Sequence, residues 1–532
     1  MEARRKQGLK KGVNTEDSRR RRGDTTIQLR KNKKEEGLAK RRNIMVNNFV
    51  TDPSAAPEAP PSKFSDLMLK MNSQDVAIMT EGIRGFRKAL SVETNPPVQE
   101  CIDVGAVPFF VKYLQCDDNT ALQFEAAWAL TNIASTDRTQ VVVDSGAIPF
   151  LVQQLMSGNA DVREQCAWCL GNVAGDGAAY RDVILNCGGL EPLLKNVLNP
   201  ENLSLLRNCV WTLSNLCRGK PQPDLRVIQP AFEAISVLLN NCSDQQTIVD
   251  ACWALSYLSD GTNERIQQCV EFHVVPQLVQ MIASGQTQAV VPALRTLGNI
   301  VSGEDHQTQV VVDSNALPVV VPLLSHTKKN IRKEACWMLS NIAAGNKSQV
   351  NTLVVTPSLL NQVLLQLSSG TEWDVRKEAA WVISNVATGG SKANVLKLIE
   401  SNAIEPLCDL LDVAEVRILL VAMEALESIL KHGESAKVDC SSLIDEAEGV
   451  DKLELLQEHE NEDVYQRAVK ILESYFGGEE EDESENLAPQ TSTENAFSFG
   501  VSNFNQVGGA AGAMPKATFD FSSAPKAPIS FL

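Results

Sequence analysis

The chain has 532 residues, 43% of them hydrophobic and 22% charged, which is enough to bury a large core, and its net charge is −17. Residues 1–45 hold 16 Lys and Arg against 6 Asp and Glu, whereas the remainder holds 33 against 60. The thirteen Cys follow no extracellular spacing scheme, and neither a signal peptide nor a membrane-spanning apolar run is evident. We therefore expect a protein of a reducing compartment, with a basic arm attached to an acidic body.

The arm comprises residues 1–50, which are dense in charge and nearly free of aromatic side chains. Its basic clusters are Arg19–Arg22, Arg30–Lys34 and Lys40–Arg42. Because the segment lacks an apolar face large enough to hold a helix, we expect it to be disordered until an acidic partner binds it. A Pro-rich linker, residues 51–70, is long enough to let the arm fold back onto the body.

Residues 71–476 repeat one helical motif, and its first clear copy runs from Phe124 to Ala134. A tryptophan or its substitute occupies one position of each copy, here named the Trp slot, and successive slots are 40 to 44 residues apart. The slots hold Trp128, Trp168, Trp211, Trp253, Arg295, Trp337, Trp381 and Glu424. A period near 42 residues with helical patterning predicts an all-α fold, a stacked-helix solenoid of the armadillo or HEAT kind, and we interpret it as a right-handed armadillo-repeat solenoid of about ten repeats.

The last repeat, about Gly449–Phe476, has no Trp slot and carries the polar surface expected of a terminal cap. The tail, residues 477–532, begins with an acidic run and continues rich in Ser, Ala, Gly and Phe, so we expect it to be disordered. Within the tail, Phe497–Gly500 resembles the Phe-x-Phe-Gly repeats of nuclear-pore proteins, which makes nucleoporins a candidate partner on the evidence of one copy.

Helical geometry divides each repeat into two faces. The residues two and five positions after the slot, such as Leu130 and Ile133, are aliphatic in every copy and lie roughly opposite it. The Asn usually found four positions after the slot shares its side. A single Trp is more often a core residue, but Arg295 and Glu424 in the same slot do not suit a dry core. We therefore expect Trp and Asn to face away from the core as a ladder along one surface.

The ladder has the chemistry to bind an extended Lys- and Arg-rich peptide. Asn both donates to and accepts from a main chain, and paired Trp rings accommodate the stems of Lys or Arg. Carboxylates recur beside the motif at fixed offsets from the slot or the Asn: Asp176, Asp250, Glu334 and Glu378. In the middle, Tyr257 replaces Asn and Arg295 replaces Trp, which predicts two separate binding sites. The tethered Lys40–Arg42 matches this ligand, so we expect the arm to occupy its own body at rest.

Other kinds of protein fit less well. The one Cys-x-x-Cys, Cys166 and Cys169, lies inside a helix without a second pair, so we expect a structural role and no metal. The five His are scattered, no catalytic triad or phosphate-binding loop is evident, and we expect neither an enzyme nor a cofactor. A generic armadillo scaffold would explain the repeats but neither the arm nor the ladder. A nucleic-acid binder would place an acidic body beside phosphates.

The arm clusters, Arg19–Arg22, Leu29–Lys34 and Lys40–Asn43, resemble the importin-β-binding domain of importin-α, and the tandem Trp-x-x-x-Asn helices resemble its armadillo repeats. The resemblance covers about residues 15 to 485. It implies an adaptor that binds nuclear localisation signals and shuttles between cytoplasm and nucleus with importin-β. It further implies release through Ran-GTP and recycling by a CAS-type export factor, with no direct nucleic-acid or membrane partner.

The same resemblance assigns the site residues. Its major signal-binding site would comprise Trp128, Asn132, Thr139, Trp168, Asn172, Asp176, Trp211, Asn215, Asp250 and Trp253. Its minor site would comprise Arg295, Asn299, Glu334, Trp337, Asn341, Glu378, Trp381 and Asn385. Its autoinhibitory segment would be Lys40, Arg41 and Arg42. The loop between Asn132 and Pro149 is shorter than the family's usual one.

Overall fold

The computed structural model describes residues 40–41, 64–285, 287–477, 490–491 and 497–498. The expected disorder of residues 1–50 and 477–532 therefore falls almost wholly outside the described residues, as do Arg42 and the last two residues of the Phe-x-Phe-Gly segment. Two short strands, β1 (Gln490–Thr491) and β2 (Phe497–Ser498), pair antiparallel in the tail, with Gln490 opposite Ser498. The all-α prediction does not extend to these two strands.

The body is a succession of helices in which every third helix is long, and we name these ten the ladder helices. They are α2 Val76–Leu90, α5 Thr120–Ala134, α8 Ala160–Asp176, α11 Leu203–Cys217, α14 Gln245–Leu258, α17 Thr287–Ile300, α20 Lys329–Ala343, α23 Trp373–Gly389, α26 Val416–Ala436 and α29 Glu462–Tyr475.

One shorter helix precedes the first ladder helix, and two shorter helices lie between each pair of successive ladder helices. They are α1 Phe64–Met71, α3 Val98–Asp103, α4 Val107–Leu114, α6 Thr139–Asp144, α7 Ala147–Gln154, α9 Ala178–Asn186, α10 Leu190–Leu198, α12 Leu225–Ile228, α13 Pro230–Asn241, α15 Asn263–Glu271, α16 Val274–Ala283, α18 Asp305–Asp313, α19 Ala316–Val320, α21 Lys347–Val355, α22 Leu359–Leu367, α24 Lys392–Glu400, α25 Ile404–Cys408, α27 Cys440–Glu446 and α28 Gly449–Leu455. Two 3-10 segments, Val321–Ser325 and Leu456–Glu458, complete the set. The prediction of about ten armadillo-type repeats is confirmed.

Local sequence explains where the ladder helices begin. Six of them are capped by Asn or Asp, whose side-chain oxygen accepts from an amide of the first turn that has no partner inside the helix. These caps are Asp75, Asn119, Asn159, Asn202, Asp244 and Asn461. In the turns before the Pro-containing helices α7 and α19, Gly146 and Asn315 take positive φ angles of 74° and 62°, which glycine and asparagine adopt most readily.

The core follows the predicted periodicity. Residues two and five positions after every Trp slot are at most 1% exposed, from Leu130 and Ile133 in α5 to Leu426 and Ile429 in α26. Ladder helices of consecutive repeats pack directly against each other, and this stacking makes one continuous apolar core along the solenoid.

The ladder asparagines, predicted on the side that looks away from the core, are at most 9% exposed. Each one donates its Nδ2 hydrogen to the preceding repeat, usually to the carbonyl of the residue just before the equivalent Asn position. The bonds run from Asn172 to Thr131 (3.1 Å), Asn215 to Gly171 (2.9 Å), Asn299 to Ser256 (3.1 Å), Asn341 to Gly298 (3.1 Å) and Asn385 to Ser340 (2.7 Å). The preceding repeat therefore contacts these side chains and helps to bury them, which a single helical wheel does not reveal.

Two tryptophans also depart from the expected exposure. Trp211 and Trp337 are 1% and 4% exposed, whereas the other slot tryptophans are half-buried. A Cβ atom on Gly171 would lie 2.3 Å from Cζ3 of Trp211, and one on Gly298 would lie 2.2 Å from Cζ3 of Trp337. The absent side chains of these two glycines therefore let the following repeat's ring lie flat against the helix.

The paired cysteines lie in the core of α8. Burial raises the pKa of the Cys169 thiol to about 12 and raises that of Cys166 well above its ordinary value, so both stay protonated. Among the described residues, no group of three or more His, Cys, Asp and Glu is placed to hold a metal ion. These facts agree with a structural role for the pair.

Within the described residues, no single helix is both long enough and apolar enough to cross a membrane. Two sharply bent pairs pass the length and composition test only when joined, Asp305–Asp313 with Ala316–Ser325 and Lys347–Val355 with Leu359–Leu367.

Candidate peptide-binding groove

The ladder helices bring the slot residues of successive repeats into one row. Trp128, Trp168, Trp253 and Trp381 are half-buried, so each ring keeps part of its surface available to a ligand. Arg295 continues the row, and its guanidinium carbon lies 5.3 Å from the ring centroid of Trp253. This contact demonstrates that slot residues of adjacent repeats face each other, as the 42-residue period predicts.

Asn172 binds the main chain of Arg41 through both ends of its amide. Its Oδ1 accepts from the Arg41 backbone N at 2.7 Å, and its Nδ2 donates to the Arg41 carbonyl at 2.9 Å. The indole Nε1 of Trp168 donates to the same carbonyl at 2.7 Å. These three bonds satisfy the backbone N–H and C=O of Arg41 without contacting its side chain.

The ammonium of Lys40 has an acceptor for each of its three donors. It forms an ion pair with Asp176 and donates to the Thr136 carbonyl at 2.7 Å and to Thr139 Oγ1 at 2.8 Å. Thr139 is itself buried and donates to the carbonyl of Ala134 at 3.0 Å, which fixes its hydroxyl. The short loop therefore still brings Thr139 to the lysine.

The side chain of Arg41 lies on the opposite side of the segment from that of Lys40. Its guanidinium carbon is 4.7 Å from the ring centroid of Trp211, and its Nη2 is 3.2 Å from Oδ2 of Asp250. Burial raises the pKa of the Asp250 carboxyl above its ordinary value, and the charge of Arg41 acts in the opposite direction. Asp250 is thus a buried carboxylate whose ionisation favours, and is favoured by, a cation at this place.

The second half of the row contains the residues assigned to the minor site. Glu334 and Glu378 are 4% and 7% exposed, and Trp337 and Trp381 come from the same two helices. Glu334 pairs with the chain's own Arg295 at 3.3 Å. Asn341 has a buried Oδ1 with no hydrogen-bond partner among the described groups, although its Nδ2 is satisfied. An unpaired buried acceptor costs about 1–3 kcal/mol, so a donor supplied here would be favourable.

Three groups at the groove escaped sequence reasoning. Glu125 has the same offset from its slot as Asp250 but is tied to Arg84 at 2.8 Å and to the buried Arg87 at 2.7 Å. Arg87 in turn covers the Trp128 ring, with its guanidinium carbon 4.3 Å from the centroid. The fixed offset offered a signal for Glu125, whereas nothing in the sequence marks the Thr136 carbonyl as a lysine acceptor.

The fold and this groove define an armadillo-repeat protein that holds a basic segment against a Trp and Asn surface. Family models match the chain in three regions. They are described as the Importin beta binding domain (residues 4–89), the Armadillo/beta-catenin-like repeat (94–135, 135–175, 178–218, 262–302 and 304–344) and the Atypical Arm repeat (439–490).

Similar proteins point to one family. Importin subunit alpha-2 of Arabidopsis thaliana is 47% identical, over 97% of this chain and 98% of that protein. Importin subunit alpha-1a of Oryza sativa subsp. japonica is 45% identical, over 95% of this chain and 97% of that protein. An engineered protein of known crystal structure aligns with a TM-score of 0.71 and 27% identity, over 78% of this chain and 99% of its own. The chain belongs to the importin-α family of nuclear import adaptors.

Proposed function

We propose that this adaptor binds Lys- and Arg-rich nuclear localisation signals on its Trp and Asn ladder and links them to importin-β through residues 1–50. The observation that carries the proposal is the seating of Lys40 and Arg41 on Trp168, Asn172 and Asp176. A basic dipeptide there has its backbone, its ammonium and its guanidinium satisfied together.

A signal peptide would replace Lys40 and Arg41 at the major site. Its lysine would take the Asp176, Thr136 and Thr139 acceptors, and its next basic residue would stack on Trp211. Trp128, Asn132, Asn215 and Trp253 would extend the same contacts along the row. The preference for cations follows from the carboxylates, since a neutral side chain would leave them unpaired.

The minor site would receive a second basic cluster between Trp337 and Trp381, near Glu334 and Glu378. The orphaned Oδ1 of Asn341 supports this assignment, because a peptide N–H would satisfy it as the Arg41 N–H satisfies Asn172. Asn299 and Asn385 complete the minor row. A signal with two basic clusters and a spacer would span both sites.

The arm is a built-in competitor. Residues 51–70 would act as the linker that tethers Lys40–Arg42 to residues 71–476 at high effective concentration, so the groove would be self-occupied at rest. Importin-β would capture the arm and free the groove, and Ran-GTP acting on importin-β would return the arm. An export factor of the CAS type would then recycle the adaptor, so that it shuttles between cytoplasm and nucleus. The Phe-containing residues 477–532 would contact nucleoporins.

The test compares the affinity of a fluorescent Lys-rich signal peptide for the full chain and for a chain that begins at Phe64. We expect tighter binding by the shorter chain. Asp176→Lys should remove binding at the major site and leave only weaker binding at the minor site, whereas Asp144→Lys, which places the same charge on an exposed site of α6, should leave the tighter binding intact. Adding importin-β should raise the peptide affinity of the full chain but not that of the shorter chain. Equal affinity of the two chains would contradict autoinhibition. Binding to single-stranded DNA in place of the peptide would contradict the peptide-adaptor proposal.

A further inference from the structure

Three arginines on the described helices of the solenoid cover tryptophan rings of the ladder. Arg87 lies over Trp128 at 4.3 Å, Arg295 over Trp253 at 5.3 Å and Arg417 over Trp381 at 5.1 Å, measured from guanidinium carbon to ring centroid. These rings are the first and last of the run Trp128, Trp168, Trp211 and Trp253, and the last of the run Trp337 and Trp381. These three solenoid arginines therefore cover rings at the ends of the tryptophan runs.

A ring inside a run receives its cation from the basic segment and not from the solenoid. Trp211, inside the first run, receives the guanidinium of the basic segment at 4.7 Å. An arginine on the solenoid and an arginine of the ligand thus make the same cation–π contact with equivalent rings. A ring face already covered by one guanidinium is not open to a second.

Arg417 is the cap whose effect is easiest to isolate. Arg87 and Arg295 each pair with a buried carboxylate, Glu125 and Glu334, so removing either would also break a buried ion pair. Arg417 takes part in none of the ion pairs recorded for the described part of the chain, and it is half-exposed near the start of α26. Its contact with Trp381 is the interaction that places it at the groove.

The helix that carries Arg417 also carries acidic side chains one repeat beyond Trp381. Glu424 occupies the slot after Trp381 and lies seven residues from Arg417 on α26, which places both on one face of that helix. Glu424 is paired with Arg467 at 3.3 Å, and the adjacent Glu427 pairs with the same arginine at 3.0 Å. The acidic side of the groove thus continues one repeat beyond Trp381, with its carboxylates paired to Arg467 and Lys470, while Arg417 covers one face of the Trp381 ring.

We propose that Arg417 occupies, in place of a ligand side chain, the cation position beyond Trp381, and so limits the minor site to one slot between Trp337 and Trp381. Arg417 is then a specificity-determining residue: a ligand gains nothing from a further basic residue there, because that residue meets a positive charge and a covered ring. This inference rests on the proposed peptide-binding function.

The test measures the full chain carrying Asp176→Lys, so that binding reports the second half of the ladder. The probes are fluorescent peptides with one Lys-Arg pair in a neutral sequence, and the same peptides with one more Arg before or after the pair. In the parent chain the added Arg should change affinity by less than about twofold. In Arg417→Gln it should improve affinity about fivefold on one flank, the size of one cation–π contact.

Two further variants separate this effect from a general loss of positive charge. Lys431→Gln makes the same charge change at an exposed position of α26, and in this variant the added Arg should not improve peptide affinity. Arg417→Lys keeps the positive charge over the Trp381 ring, so the added Arg should improve affinity less than it does in Arg417→Gln. The Lys variant also provides the comparison with the parent chain if the Gln variant has a lowered melting temperature.

Equal response of the parent chain and both Arg417 variants to the added Arg, with the shorter peptide bound normally, would overturn the inference alone. Failure of every chain to bind the shorter peptide, including the chain without Asp176→Lys, would overturn the proposed function and the inference with it.

Discussion

The lysine position beside Asp176 allows a quantitative prediction. Asp176→Asn removes the negative charge but keeps the size of the side chain and one acceptor, while the acceptors from Thr136 and Thr139 remain. A hydrogen bond with a charged partner contributes about 1.5–3 kcal/mol. The two side chains are 19% and 28% exposed, so solvent screening places the loss near the lower end, at about 1.5–2 kcal/mol.

That free energy corresponds to a roughly 10- to 30-fold loss of affinity for a Lys-rich peptide. Fluorescence anisotropy with the chain that begins at Phe64 measures it directly. Asp144→Asn, the same substitution at an exposed site, should leave the affinity unchanged. In the full chain the loss should be smaller, because the variant weakens the competing Lys40 contact as well. A loss below about threefold in the shorter chain would refute the assignment of Asp176 as the main lysine partner.

Three further outcomes follow from the structure. Gly171→Ser should weaken peptide binding at the major site and lower the melting temperature, because its Cβ would lie 2.3 Å from Trp211 and force the ring out of its place. Peptide affinity should fall as the solution becomes mildly acidic. Burial raises the pKa of Asp250, so this carboxylate loses its charge at a higher pH than an exposed aspartate does. Asp250→Asn should bind the peptide more weakly and without this pH dependence. Glu125→Gln should lower the free energy of unfolding by about 3 kcal/mol, since it breaks an ion pair in which both side chains are buried, and Glu81→Gln, in an exposed pair, by under about 0.5 kcal/mol.

Each of these outcomes has its own contradiction. Unchanged peptide affinity in the Gly171 variant would show that the groove accommodates a raised ring. A pH profile retained in the Asp250 variant would assign the titration to another group. Equal unfolding free energies of the Glu125 and Glu81 variants, measured by urea denaturation, would mean that the buried pair contributes no more than a surface one.

The sequence predicted the periodic parts of this molecule well, because they depend on residues within one helix. The burial of Leu130 and Ile133 follows from a 100° turn per residue. The placement of Asn172 and Asp176 beside Lys40 was also within reach, since tryptophan, amide and carboxylate recur at constant offsets.

The sequence did not predict contacts between repeats. The ladder asparagines are buried because the adjacent repeat covers them, and Glu125 is neutralised by an arginine 38 residues away in the chain. The cover of Arg417 on Trp381 likewise joins two helices, α26 and α23. The residue pattern within one repeat does not determine how the adjacent repeat packs against it, so these features are visible only in the structure of the stacked repeats.

The asparagine that holds the ligand backbone also ties its own repeat to the one before it. At Asn172 the same Nδ2 group donates to the Thr131 carbonyl and to the carbonyl of Arg41. The segment at Lys40 and Arg41 is therefore hydrogen-bonded to the same side chain that joins two successive repeats. A change in the angle between these two repeats would move Nδ2 relative to both carbonyls, so bending of the solenoid at this place would alter its contact with the segment.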